Sequence, residues 1–511
     1  MFWKPATVRC ADQLVKTTSY DNHQIERRFH AVSHIHNVTV RRAIRLMNQL
    51  KRDKAYCSYL SEYASIKKKE KLSSADKKRL KALSKLMSDI RLPIGLSEYG
   101  LQSYIKVCAK QYTKLLSSQQ VQKEATRVWR GVEKVLFSNG KKLHFKKYMN
   151  FDTVCGKTNT NGAKFDKSSM TVNWLGLCLK CKPISKNDPY KTEALSHDIS
   201  YCEIKRMMFN NGWHYYVVLY LKGDAPKKLI KIGSNEMGID PGVSTIAGVS
   251  DDKAVLKELA PKSKDYDKQI RKLQQKMDTS KRISNPNKYN QDGTISKSNR
   301  DRWVYSNTYK KNRRQLKCVY RKKSAYTKQL HEELANELLE DSSTFFVEDM
   351  NYAALARKSR KPAERQDKTT DIKRKDGTTK AVKKYKKKKR YGKSLNNRSP
   401  SLFLSILKRK CELYGGQVQT VKTKTFKASQ YDHVKDEYIK VPLSQREKVI
   451  GGHTVQRDLY SAFLIKNADC TLEHADRDKC IHEFEHFIMI HNQLINDLKA
   501  SDVTMKQCFG F

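Results

Sequence analysis

Apolar residues recur every three or four positions through residues 22–137, as in Leu80, Leu83 and Met87 and again in Val128, Val132 and Leu136. This predicts a run of helices, each with one buried face. From about 140 to 232 the period changes. Leu143 and Phe145 alternate with basic residues, and Trp213 to Leu221 is dense in aromatic and β-branched types, which predicts a β-rich module. The stretch Met237-Gly-Ile-Asp240-Pro-Gly-Val-Ser-Thr-Ile-Ala-Gly-Val-Ser250 reads as a hairpin with a carboxylate on its first strand. A basic helical stretch from about Tyr266 to Glu340, broken by Asn285-Pro-Asn and Asp292-Gly, predicts an inserted helical hairpin.

Thr344-Phe-Phe-Val-Glu348 is a buried strand that ends in an acid. Residues 357–398 hold few apolar side chains and the run Lys383-Lys-Tyr-Lys-Lys-Lys-Lys-Arg390. That composition cannot pack a core and predicts a segment mobile until nucleic acid binds, a localisation signal or a plain solvated loop being the alternatives. Order returns with Ser399 as N-cap and Pro400 at the first position of a helix through Leu402, Ile406 and Leu413, which stops at Gly415-Gly416. A strand over 418–421 follows. A last helix over 457–465 puts Leu459, Ala462 and Phe463 on one face and Asp458 in its first turn.

With 511 residues the chain exceeds one ordinary core, so two to four domains are expected. Its 103 Lys+Arg against 53 Asp+Glu leave a formal charge of +50, which a polyanion would neutralise. The excess runs nearly the whole length, as in a channel that encloses nucleic acid rather than a patch. The helical region carries no base-reading signature, so a bundle that only supports its neighbours stays open for it. The N-terminal MFWKPATVRC has no apolar core of a leader, and runs such as Tyr215 to Leu221 are too short to span a bilayer, so a soluble, intracellular protein is expected. Of twelve cysteines only Cys178 and Cys181 form a CxxC. Without a second pair at ligand spacing, buried reduced thiols are favoured over zinc.

Phosphodiester hydrolysis needs charge stabilised on attacking and leaving oxygens, which two divalent ions about 4 Å apart supply when carboxylates hold them. Magnesium takes oxygen ligands and keeps waters, so three or four acids suffice. Asp240 and Glu348 each close an apolar strand, where a charge is costly unless compensated. Asp458 opens a helix, where the dipole favours a carboxylate in any case. Each is weak alone; the order strand-Asp, strand-Glu, helix-Asp is the specific feature.

The segments GIDPG around Asp240, FFVEDMN around Glu348 and VQRDLYSA around Asp458 resemble the three RuvC motifs of transposon-encoded TnpB (OrfB) proteins and of the compact type V CRISPR effectors descended from them. The resemblance implies an α/β multidomain chain: wedge strands in 1–21, a helical recognition domain in 22–137, a wedge β-barrel in 138–232 and an RNase H-like (RuvC) nuclease domain in 233–511. Within the last fall a helical insertion over 253–340, the basic loop over 357–398 and a target-binding insert over 422–456. It further implies an RNA-guided DNA endonuclease that reads a short flanking motif, with Asp240, Glu348 and Asp458 as ligands of two Mg2+ ions, Mn2+ being an alternative. The partners would be a guide RNA, from a transposon end or a CRISPR array, and target double-stranded DNA, with no membrane. A monomer in the cytoplasm of a bacterial or archaeal cell is expected. Lys386, Lys387, Lys388, Lys389, Arg390, Arg313, Arg314 and Arg457 are the basic residues expected to meet nucleic acid.

One departure matters. The family places two zinc-binding CxxC pairs before the third motif, whereas residues 422–456 contain no cysteine and only Asp432, His433 and His453 as candidate ligands. The zinc ribbon is therefore expected to be lost or replaced by a metal-free loop, with no structural zinc. Two other readings stay open: a guide-dependent DNA binder without cleavage, against which the intact triad argues, and a guide-free RuvC-type nuclease, against which the large basic N-terminal half argues.

His482-Glu-Phe-Glu-His486 matches the HExxH of zinc proteases, but no Gly and third His follow. Cys470, His474 and Cys480 could join that pair in a metal site; a helix with Phe484, Phe487 and Ile488 facing a core explains them more simply. Gly415-Gly416 and Gly451-Gly452 extend to no phosphate-binding loop, so no nucleotide cofactor is indicated.

Overall fold

A computed structural model describes residues 7–9, 13–69, 72–138, 140–185, 187–223, 231–296, 298–356, 364–373, 379–385, 391–442, 444–501 and 509. The chain forms two compact units, Met1–Pro226 and Lys227–Phe511, and both mix helix with sheet.

In the first unit, β1 (Thr7–Arg9) and β2 (Gln13–Lys16) lead into α1 (Ser19–Leu50), α2 (Lys54–Ile66), α3 (Ser74–Arg91), α4 (Glu98–Cys108) and α5 (Ser118–Phe137). Reciprocal caps start three of these helices: Thr18 with Asp21, Ser73 with Asp76, and Ser117 with Gln120. Then come β3 (Thr153–Cys155), β4 (Ala163–Asp166), β5 (Thr171–Trp174), β6 (Leu177–Cys181), α6 (Pro189–Ser196), β7 (Ile199–Phe209) and β8 (Gly212–Lys222). The sheet runs β3-β7-β8-β2-β6-β5-β4 with β1 also on β8, and it curls until the Cys202 thiol donates to the Ala163 carbonyl at 3.1 Å. Arg206, 1% exposed, ties α1 to this sheet: its guanidinium donates to Glu26 at 2.7 Å and lies against Phe29, Tyr148 and Trp213.

Two expectations fail in this unit. Residues 140–147 form no strand; Leu143 instead packs beside Gly131 of α5 and Phe145 is exposed. Cys178 and Cys181 are not both buried, because three positions along β6 point to opposite faces: Cys181 is buried and Cys178 exposed.

The second unit is built on β9 (Asn235–Pro241), β10 (Thr245–Val249), β11 (Ala254–Glu258), β12 (Ser342–Glu348) and β15 (Gln417–Val421), in the order β11-β10-β9-β12-β15. The pairs β11/β10 and β10/β9 are antiparallel, whereas β9/β12 and β12/β15 are parallel. Between β11 and β12 the chain makes a helical hairpin, α7 (Ser263–Ile283) and α8 (Asn307–Asp341). Between β12 and β15 come α9 (Tyr352–Ala356), the self-paired β13 (Glu364–Lys373) and β14 (Thr379–Tyr385), α10 (Gly392–Arg398) and α11 (Pro400–Tyr414). After β15 follow α12 (Thr423–Phe426), the small hairpins β16 (Tyr431–Asp432)/β17 (Glu437–Tyr438) and β18 (Glu447–Ile450)/β19 (His453–Gln456), then α13 (Arg457–Lys466) and α14 (Arg477–Ala500). No described helix is long and apolar enough to cross a membrane.

Strand parity assigns the faces. Met237 and Ile239 of β9 and Phe345 and Val347 of β12 pack on Leu334, Leu338 and Leu339 of α8 and Phe403, Ile406 and Leu407 of α11. The opposite face, with Ala247, Val249 and Phe346, packs on Leu459, Ala462 and Phe463 of α13 and Phe484 and Phe487 of α14. Asp240 and Glu348 share the parity of Gly238 and Phe346 and so lie on the α13 side.

Ser399 is not a side-chain cap: it has φ 50° in the left-handed region and makes no capping hydrogen bond, while Pro400 does take the first helical position. The basic segment expected to be mobile contains a β-hairpin, β13–β14, whose strands, among the described residues, pair with each other alone. The Asp376-Gly377 dipeptide in the sequence between them is a hairpin signal that composition masked.

At Gly238 the backbone of α13 comes close to β9. A Cβ there would stand 2.1 Å from the Ala462 carbonyl oxygen and 2.3 Å from the Lys466 nitrogen, both backbone atoms that cannot swing aside. Gly238→Ala is therefore expected to destabilise the second unit by about 3 kcal/mol, read as a lowered urea midpoint at unchanged slope.

Candidate active site

Parallel pairing sets Val347 opposite Ile239, so Asp240 and Glu348 emerge side by side at the ends of adjacent strands. Asp458 comes from the first turn of α13, where the Gln456 side chain caps the helix by accepting from the Leu459 amide at 2.7 Å. The three acids feel one another. Burial, then the negative charges of Asp458 and Glu348, hold the Asp240 carboxyl well above the usual carboxylate range, with Arg457 and Arg446 pulling the other way. Burial pushes Glu348 up to about 7. Tyr352, whose hydroxyl donates to the Pro241 carbonyl at 3.3 Å, is raised by burial and then by Asp240 and Glu348.

Asp458 differs from its neighbours because two guanidinium groups hold it. Arg457 donates to its Oδ1 at 2.9 and 3.2 Å, and Arg446 to its Oδ2 at 3.3 Å. In this arrangement no three His, Cys, Asp or Glu side chains among the described residues stand close enough to share one ion. The donor chemistry nonetheless suits a hard divalent cation. Asp240 and Glu348 are adjacent carboxylates whose raised affinity for protons marks uncompensated negative charge, and Asp458 lies within their electrostatic reach.

Of the basic residues expected to meet nucleic acid, Arg457 is instead buried, its guanidinium on Asp458 and the Gln445 carbonyl. Arg313 and Arg314 lie on α8 about 30 Å along the helix from Leu334, where it packs on the sheet. Lys386, Lys387, Lys388, Lys389 and Arg390 fall outside the described residues. Arg446 and Tyr352 were missed by motif reading: Arg446 has no neighbouring signature, and Tyr352 follows the second acid by only four positions.

The other metal-ligand types are engaged elsewhere. Glu483 of the HExxH match accepts from Lys466 at 2.6 Å and His486 bonds the Asp251 carbonyl at 2.6 Å. Cys480 is buried while Cys470 is exposed. In the 422–456 segment, Asp432 accepts from the Val434 and Lys435 amides, His453 faces Glu485 at 3.8 Å, and His433 is bonded to Tyr460.

No family model matches this chain, and neither does any curated protein. Among solved structures it is similar to a chain of the cryo-EM Cas12f1–sgRNA–target DNA complex, at 12% identity and TM-score 0.40, covering 87% of this chain and 82% of that one. A CRISPR-Cas12f ternary complex gives 13% identity and TM-score 0.23 over 88% and 82% of the two chains. A Cas12i(E894A)–crRNA–dsDNA complex gives 10% and 0.23 over 95% and 64%. Likeness at this level settles neither fold nor activity by itself.

The folded, metal-free site holds protons that the unfolded chain releases above about pH 4.3. Its contribution to stability is thus full below that pH and is lost as pH rises through about 7. Urea midpoints measured in EDTA from about pH 4.5 to 8 should fall across that window, and Glu348→Gln should flatten the fall. Elemental analysis of the purified protein should find no stoichiometric zinc, with Glu483 and His486 of the HExxH match and Asp432 and His433 of the 422–456 segment otherwise bonded.

Proposed function

We propose that the chain is an RNA-guided DNA endonuclease whose second unit is an RNase H-like (RuvC) domain acting with divalent cations. The observation that carries this reading is the common face: Asp240 and Glu348 end adjacent parallel strands beneath the helix that brings Asp458. The sheet order, three antiparallel strands continued by two parallel ones, supports it. The guide is drawn from the motif resemblance and from a charge of +50, and the 1–21, 22–137 and 138–232 segments are proposed as wedge and recognition domains on the same ground.

When bound, two magnesium ions would stabilise charge on the attacking and leaving oxygens of the phosphodiester. The chain supplies the rest. Asp240 and Glu348 are fixed by strand pairing and Asp458 by the capped first turn of α13. Arg446 and Arg457 bring positive charge to the same place, where a backbone phosphate can compete with Asp458 for the more exposed Arg446. Tyr352 ties the chain after Glu348 to the end of β9. A second reading, guided DNA binding without cleavage, is favoured by the arginine hold on Asp458.

Protein expressed with its flanking locus is expected to carry a defined RNA and to cut a matching plasmid only with Mg2+ or Mn2+. Asp240→Ala should lower cleavage by about 10³-fold or more, some 4 kcal/mol of transition-state stabilisation, with RNA and target binding kept. Binding without cleavage by the wild-type chain would establish the second reading instead.

A further inference from the structure

The segment from Tyr431 to Gln456 is too small to hold itself together. Its two hairpins have strands of two and four residues, and Val434, Tyr438, Ile439 and Val449 are exposed. Modules of this size need a staple: a metal, a disulfide or a core borrowed from elsewhere. Here the core is borrowed from α13 and α14, and Tyr460 is its centre.

Tyr460 and His433 are both 0% exposed. The Tyr460 hydroxyl accepts from the His433 amide at 3.2 Å and pairs with His433 Nδ1 at 2.7 Å. Its ring carries the Lys448 ammonium of β18 at 5.6 Å. Phe484 of α14 packs on both His433 and His453, and Gly451, at the turn between β18 and β19, sits beside Phe484 and Val434. Arg477 closes the same corner by donating to the carbonyls of His433 and Val434. Both hairpins are thus tied to one side chain, two residues after Asp458.

The second hairpin also supplies Arg446. Its carbonyl accepts the Arg457 amide at 2.8 Å and its guanidinium donates to Asp458 Oδ2. The placement of that guanidinium therefore depends on how the segment is seated.

We propose that Tyr460 is a positioning residue: through His433 and Lys448 it seats the 431–456 segment on α13 so that Arg446 stays on Asp458 and competes with a divalent cation for that carboxylate. This rests on the acid centre being the metal site proposed above. It assigns to one buried hydroxyl a share in setting cation affinity, and it makes loosening of the segment the event that releases Asp458 from Arg446, with Arg457 still beside it.

The test compares wild type, Tyr460→Phe, Arg446→Gln, the double variant and Asp240→Ala by Mn2+ titration followed by electron paramagnetic resonance, with hydrogen exchange on the first three. Arg446→Gln removes a positive charge from the site and should tighten Mn2+ binding about tenfold. Tyr460→Phe should shift affinity the same way by a smaller factor, and the double variant should match Arg446→Gln alone, because Tyr460 acts only through that arginine. Tyr460→Phe should also speed exchange of the His433 amide and of residues 444–456 about tenfold or more, two buried polar groups having lost their partner. An effect of Tyr460→Phe that adds to that of Arg446→Gln, or no change in Mn2+ affinity or exchange, would overturn the proposal. Mn2+ binding that Asp240→Ala leaves untouched would instead overturn the metal-centre reading, while the exchange data would still decide whether Tyr460 seats the segment.

Discussion

The second unit depends on one close approach, the backbone of α13 lying on β9 at Gly238. A strand repeats its facing every two residues and a helix every turn. With Gly238 against Ala462, the next facing position of the strand is Asp240 and the previous turn of the helix is Asp458. The contact that closes the core therefore also brings two carboxylates from distant parts of the sequence toward each other. Parallel pairing of β12 with β9 adds Glu348 from the side. No side chain larger than hydrogen fits at the point on which this register turns.

Such an arrangement gathers negative charge that the fold must manage. Asp240 and Glu348 answer by holding on to protons, and Asp458 by pairing with Arg446 and Arg457. The two responses differ because of where the acids sit. Arg457 and Arg446 act on Asp240 through space, whereas at the helix start both donate hydrogen bonds directly to Asp458. A cation would take the place of the protons on Asp240 and Glu348, and a nucleic-acid phosphate that of Asp458 as the partner of Arg446.

The acids and their strands were legible because each closes an apolar run with period two or buries it wholly, and because strand-Asp, strand-Glu and helix-Asp recur in a known order. What was not legible is instructive. β11 was hidden because Ala254–Glu258 opens what reads as a basic insertion. The β13–β14 hairpin was hidden because its sequence is rich in charged residues and poor in apolar ones. Cys178 and Cys181 could have been separated by strand parity, and Ser399 shows that a good capping residue ahead of proline need not cap. The role of Tyr460 had no sequence signal, since an aromatic residue at helical spacing reads as ordinary core. Arg446 acquires its meaning only when the hairpin is folded back on α13.

The central claim is that three carboxylates on one face of this sheet form a divalent-cation centre. A crystal structure of the chain with the proposed guide RNA, soaked in Mn2+ and recorded at the manganese absorption edge, tests it most directly. Anomalous peaks about 4 Å apart, bounded by Asp240, Glu348 and Asp458 and lost in Asp240→Ala, are the predicted result. Manganese found only elsewhere, with Asp458 still held by both arginines, would contradict the account.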